Sequence, residues 1–194
     1  MLPVVRSKKE LAISLSTELP KYFVKPEIDR ILDQAKDNDK NYLLISLLWQ
    51  TGARISEILD IKVKDIDFHS KALKLTTLKQ KRKKQRVIPL QGHLIGLLGA
   101  YIAAKELKRE DPLLHITRQR AFQIVKETVL KAGLDKERAH PHIFRHSFAV
   151  NAVLQGVPIL VIKNWLGHSN IQNTLIYMQI LGSDTKQFYE ELKF

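Results

Sequence analysis

The chain has 194 residues, 44% hydrophobic and 27% charged, a balance that builds one core or at most two small ones and excludes a disordered tail protein. Thirty-two Lys and Arg against 20 Asp and Glu leave a formal charge of +12. That excess points to a polyanionic partner, because phosphate contacts and counterion release favour a basic surface. The absence of cysteine excludes a disulfide framework, a thiolate zinc site and a cysteine nucleophile.

Residues 1–20 end at Pro20 and read as an N-terminal arm or short helix ahead of the main body. Within them MLPVVRSKKELAIS has no apolar stretch long enough for a signal peptide, and no run of about 18 apolar residues occurs anywhere. The expectation is a soluble, cytoplasmic protein with no membrane contact. In KPEIDRILDQAKD, Ile28, Ile31, Leu32 and Ala35 share a helical face, and Pro26 suits the first turn. Asp37-Asn38-Asp39 breaks that helix. Tyr42 to Gln50 (YLLISLLWQ) is apolar nearly all round, which predicts a buried central helix ended by Gly52. Ser56 to Ile61 restarts a short one.

The period then changes. Phe68 to Leu78 and Arg86 to Leu90 (RVIPL) alternate as strands do, and between them KQKRKKQR, residues 79–86, holds six basic residues in eight. We expect a small antiparallel sheet with a strongly cationic turn. Helical patterns return afterwards: His93–Lys108, Arg118–Ala132 behind a Thr117 cap, His142–Gln155, a helix from Pro158 to Leu166, Ile171–Ile180 and a polar Asp184–Leu192. The predicted fold class is α+β, mostly helical with one small sheet.

Four places hold residues whose chemistry exceeds packing. Arg54 follows Gly52, with Glu57 one turn on. It reads either as a surface ion pair or as a phosphate fork oriented by the carboxylate. HPHIFRHS contains His140, His142, Arg145 and His146. It suits a solvated basic face, or an imidazole acid/base beside an oxyanion clamp, and no HExxH pattern supports zinc. In WLGHSN, His168 is a structural hydrogen-bonder or a catalyst. Tyr177, inside TLIYMQI, reads alone as a core residue whose hydroxyl meets a buried acceptor.

Together, TGARISEIL, HPHIFRHSF, LGHSNI and a Tyr nine residues after that His resemble the tyrosine recombinase (phage integrase) family, from about Lys21 to Ile180. The stretch PEIDRILDQA is similar to the helix that opens the family's catalytic domain. The resemblance implies that Arg54, Glu57, His142, Arg145 and His168 surround a scissile phosphate and that Tyr177 is the nucleophile. It puts the catalytic lysine in the basic hairpin. Lys79 is favoured by its place just after TTL, and Lys81 by alignment back from RVIPL.

On this resemblance the chain is a site-specific recombinase acting on double-stranded DNA. Two guanidiniums stabilise a phosphorane-like state, His142 is the candidate base, and the lysine protonates the leaving 5′ oxygen. A 3′-phosphotyrosine keeps the phosphoester energy, with no metal, ATP or other cofactor expected. Self-association on DNA, a tetramer with exchange of the C-terminal segment LGSDTKQFYEELKF, is also implied. Residues 21–194 form the catalytic domain, and twenty residues are too few for the family's core-binding clamp, so either a naturally short enzyme or a catalytic fragment is expected. A type IB topoisomerase-like enzyme and an inactive DNA-binding regulator on the same fold are the alternatives.

Overall fold

A computed structural model describes residues 19–79 and 82–181. The expected helix Asp184–Leu192, Lys81 and all but the last two residues of the expected arm lie outside them. Helix α1 (Lys25–Ala35) has Pro26 in its first turn and buries Ile28, Ile31 and Ala35. Helix α2 (Asp39–Thr51) is capped by Asn38, whose side-chain oxygen accepts from the Asn41 N–H at 3.0 Å. It ends at Gly52 with φ 59°, the left-handed conformation that closes helices. A Cβ there would stand 2.4 Å from Cδ1 of Phe148, so glycine is required twice over. Helix α3 (Ile55–Leu59) follows at once.

The sheet has the order β1 (Ile66–Asp67), β2 (Ala72–Lys79), β3 (Arg82–Pro89), antiparallel throughout. Two boundaries depart from the sequence reading. Phe68 does not open a strand, because the Asp67 carboxylate accepts from the N–H groups of His69 and Ser70 at 2.9 and 3.0 Å and turns the chain there. The basic run, expected as a turn up to Arg86, is largely strand: β3 begins at Arg82, and Lys79 pairs with Arg82. Backbone pairing with β2 settles this, and β3 is an edge strand, where lysines are well tolerated. Along β2 the side-chain period of two puts Leu73, Leu75 and Thr77 on one face, opposite Ile88, Arg86 and Lys84. The inner face therefore runs from apolar Leu73 and Ile88 to polar Thr77 and Arg86.

Helices α4 (Gly92–Ala104), α5 (Arg118–Lys131), α6 (Pro141–Leu154) and α7 (Ile159–Leu166) match the expected order, although α4 stops short of Lys108. Thr117 caps α5, its hydroxyl oxygen accepting from the Arg120 N–H at 3.1 Å. Instead of one helix over Ile171–Ile180, the chain forms a short α8 (Gln172–Leu175) and then a tighter 3₁₀ segment, Ile176–Leu181. The outcome is a mostly helical α+β fold with α2 at its centre, packed against α1, α4 and α6. A second, smaller core of α6 and α7 residues, including Val150, Val153, Ile162 and Leu166, encloses Tyr177. Among the described residues no helix is long and apolar enough to cross a membrane.

Candidate active site

Glu57 is the hub of the first cluster. It is 3% exposed and sits in the first turn of α3, where its Oε2 accepts from the Arg54 N–H at 2.8 Å and its Oε1 from Nη1 of Arg54 at 3.2 Å. From β3, Arg86 forks onto the same carboxylate, Nη1 to Oε1 at 2.9 Å and Nη2 to Oε2 at 2.7 Å, a bidentate charge-assisted pair. The Thr77 hydroxyl donates to Oε1 as well and accepts from Arg86 Nη1 at 2.9 Å. Burial alone pushes the Glu57 carboxyl up, but the hydrogen bonds from Arg86, Thr77 and the Arg54 backbone, with the Arg86 charge, bring it down to about 2. Arg86 also donates from Nε to the Trp165 carbonyl at 2.7 Å. One side chain thus ties the hairpin to α3 and to the end of α7.

Arg145, on α6, is 4% exposed. Its Nη1 donates to the Gly52 carbonyl at 2.8 Å and its Nη2 to the Leu166 carbonyl at 2.6 Å. These are the C-terminal carbonyls of α2 and α7, groups left without helical partners and carrying the negative ends of the helix dipoles. Burial first, then the nearby Arg54 charge, lower the guanidinium to about 10. It remains protonated at neutral pH.

His168 follows the left-handed Gly167 that ends α7, and its Nδ1 is 2.9 Å from the buried Thr174 hydroxyl. Burial first, then the charges of Arg145, Arg54 and Arg86, lower it to about 4. His142, exposed on the first turn of α6, is shifted down by partial burial and then by Arg145, Arg54 and Arg118. Tyr177 is 2% exposed, and its hydroxyl lies 2.7 Å from Nδ1 of His146. Burial raises the phenol, and the Arg145 charge works against that shift.

One cleft of about 870 Å³ is lined by Arg54, His142, Arg145, His146, His168 and Tyr177. A neighbouring cleft of about 660 Å³ shares Arg54 and His168 and adds Glu57, Lys84, Arg86 and Lys163. Six of the residues singled out from sequence therefore converge: Arg54, His142, Arg145, His168 and Tyr177 on the first cleft, and Glu57 behind Arg54. Lys79 closes β2 at the end of the hairpin. Among the described residues no group of three or more His, Asp or Glu has metal-site geometry.

The profile of the phage integrase family matches residues 21–182. The chain belongs to this family. It is 34% identical over 170 residues to a tyrosine recombinase of Pseudothermotoga lettingae, covering 86% of this chain and 58% of that protein. It is 31% identical to the tyrosine recombinase XerA of Pyrococcus horikoshii, covering 90% and 62%. Among solved structures, the catalytic domain of bacteriophage HP1 integrase superposes with TM-score 0.67 at 26% identity, covering 88% of this chain and 94% of that one. A XerA recombinase crystal structure shares the fold with TM-score 0.75 at 23% identity, covering 92% and 66%. The chain thus spans less than two thirds of the curated relatives' length.

Two contacts of the site went unassigned from sequence. His146 stands four residues after His142, a helical spacing that puts both on one face, and it is His146, not His142, that touches the phenol. Arg86 marked the expected start of a strand, yet its opposition to Leu75 places it on the inner face of the sheet, toward Glu57.

Proposed function

We propose that this chain is the catalytic domain of a site-specific DNA recombinase that cleaves and rejoins DNA through a 3′-phosphotyrosyl intermediate on Tyr177. The observation that carries the reading is the meeting of one phenol, two guanidiniums and the imidazoles of His142 and His168 around a single cleft. Recombination chemistry needs this set. The pentacovalent phosphorus carries extra charge on its non-bridging oxygens, and preorganised donors at that charge are worth about 2.7–4 kcal/mol each. Arg54 and Arg145 supply fixed positive charge, with His142 and His168 as further donors. Glu57 aims Arg54 from behind. Lys79, at the hairpin end, is the acid for the leaving 5′ oxygen.

The partner is double-stranded DNA, supported by the charge of +12 and by Lys84 and Lys163 in the adjoining cleft, suited to flanking phosphates. Two duplexes are exchanged in a synapse of four protomers. The test begins with DNA recovered covalently attached to the protein in cells. Its sequence supplies a nicked oligonucleotide duplex on which the wild type forms an SDS-resistant adduct. Tyr177→Phe forms none and still binds the duplex. An adduct that persists in Tyr177→Phe overturns the nucleophile.

A further inference from the structure

A phenol attacks phosphorus only as its proton leaves, and at about pKa 10 an unassisted tyrosine is almost wholly protonated at neutral pH. Burial of Tyr177 makes this worse, since it disfavours phenolate. The reaction therefore requires an acceptor in direct contact with the hydroxyl. The hydrogen bond of the Tyr177 hydroxyl within the described residues is to Nδ1 of His146, at 2.7 Å, with the ring centroids 5.9 Å apart. His146 is on α6 immediately after Arg145, and it lines the same cleft as Arg54, His142 and His168. The acceptor and the anion clamp are thus carried by consecutive residues of one helix.

We propose that His146 is a further catalytic residue of this reaction, accepting the Tyr177 proton at Nδ1 while the phenolic oxygen attacks. The inference rests on the recombinase reading of the cleft. In the step, the Tyr177 oxygen forms a bond to phosphorus and the bond from phosphorus to the 5′ oxygen breaks. The phenolic proton passes to Nδ1, and the leaving oxygen takes a proton from the hairpin ammonium. The products are a 3′-phosphotyrosine, a free 5′ hydroxyl and an imidazolium on His146. Rejoining runs in reverse: the incoming 5′ hydroxyl gives its proton to the hairpin amine, and His146 returns the other to the departing phenol. His142 is then free to act as a donor to the phosphate.

The charge state fits. The titratable groups around His146 are His142 and Arg145 on its own helix, Tyr177 from the 3₁₀ segment, and Arg54 and His168 across the cleft. Burial first, then His142 and Arg145, lower the imidazole to about 4, so the ring is neutral above that pH. With its proton on Nε2, Nδ1 presents a lone pair to the phenol.

His146→Asn is the decisive variant, because an asparagine oxygen near the place of Nδ1 accepts the hydrogen bond and holds the phenol but takes up no proton. Adduct formation is measured on the nicked duplex recovered as above, from about pH 6 to pH 9, with thermal melting as the check on folding. The expected result is a rate lowered by about 100-fold or more at neutral pH. It is also a rate that climbs about tenfold per pH unit, since the phenol must then ionise unaided, while the wild-type profile is nearly flat. His146→Gln, made alongside, keeps the test open should the asparagine variant lose the fold. A wild-type rate and a flat profile in either folded variant overturn the inference and leave Tyr177 as nucleophile. Absence of any adduct in the wild type overturns the recombinase reading and the inference together.

Discussion

The guanidinium of Arg145 spends two donors on main-chain carbonyls, which fixes its plane before any phosphate arrives. A lysine in its place carries its donors on a single nitrogen and lacks the planar two-nitrogen fork that meets the Gly52 and Leu166 carbonyls. Arg145→Lys is expected to slow adduct formation by about 100- to 1,000-fold. By leaving one carbonyl unsatisfied it also lowers stability by about 1–3 kcal/mol in urea titration. Gly52→Ala tests the same anchor from the other side: with φ 59° and Phe148 at 2.4 Å, it should cost more than about 1 kcal/mol in the same titration. At this scale the sequence is readable: the wording of TGARISEIL, HPHIFRHSF, LGHSNI and TLIYMQI singles out Arg54, His142, Arg145, His168 and Tyr177. The acceptors of Arg145 are not readable, because every residue carries the same carbonyl and only the fold decides which two converge.

Between elements, the decisive contact is the Arg86 fork onto Glu57, with its third tie to Trp165. It welds the hairpin that ends in Lys79 to the helix that starts beside Arg54. Removing Arg86 takes the bidentate partner from a buried carboxylate that keeps only Arg54 and Thr77, so Arg86→Ala is expected to cost about 3 kcal/mol in chemical denaturation. A double-mutant cycle with Glu57→Gln should give a coupling energy above about 1 kcal/mol. The helices were legible because 3.6-residue periodicity, the Gly52 stop and the Thr117 cap are local signals. The small antiparallel sheet was legible as well, but not the start of β3 at Arg82, since KQKRKKQR has no apolar alternation of its own and takes its strand form from pairing with β2. The split of the last helix at Ile176 was likewise invisible, as TLIYMQI suits either helix.

Across the whole molecule, pH reaches the fold through two windows. The imidazoles of His146 and His168 titrate near 4 when folded but near their ordinary 6.5 in the unfolded chain. The unfolded state therefore binds more protons between those values, and stability falls as pH drops from 6.5 to 4. Glu57 acts in a lower window: its folded carboxyl stays ionised to about 2 against an ordinary 4.5. Its contribution is present above 4.5 and lost as pH falls toward 2. Thermal midpoints measured from pH 7 to pH 4.5 should decline steadily, and His168→Asn should flatten that decline. Unchanged midpoints in the wild type over this range would contradict the burial of the imidazoles. The carbonyl grip on Arg145 has a broader effect on mutational drift. Partners built from backbone cannot be deleted by a point substitution, so neighbouring side chains are free to vary while the cation keeps its aim. Insertions or deletions that shift the register of either helix terminus are what this architecture tolerates least.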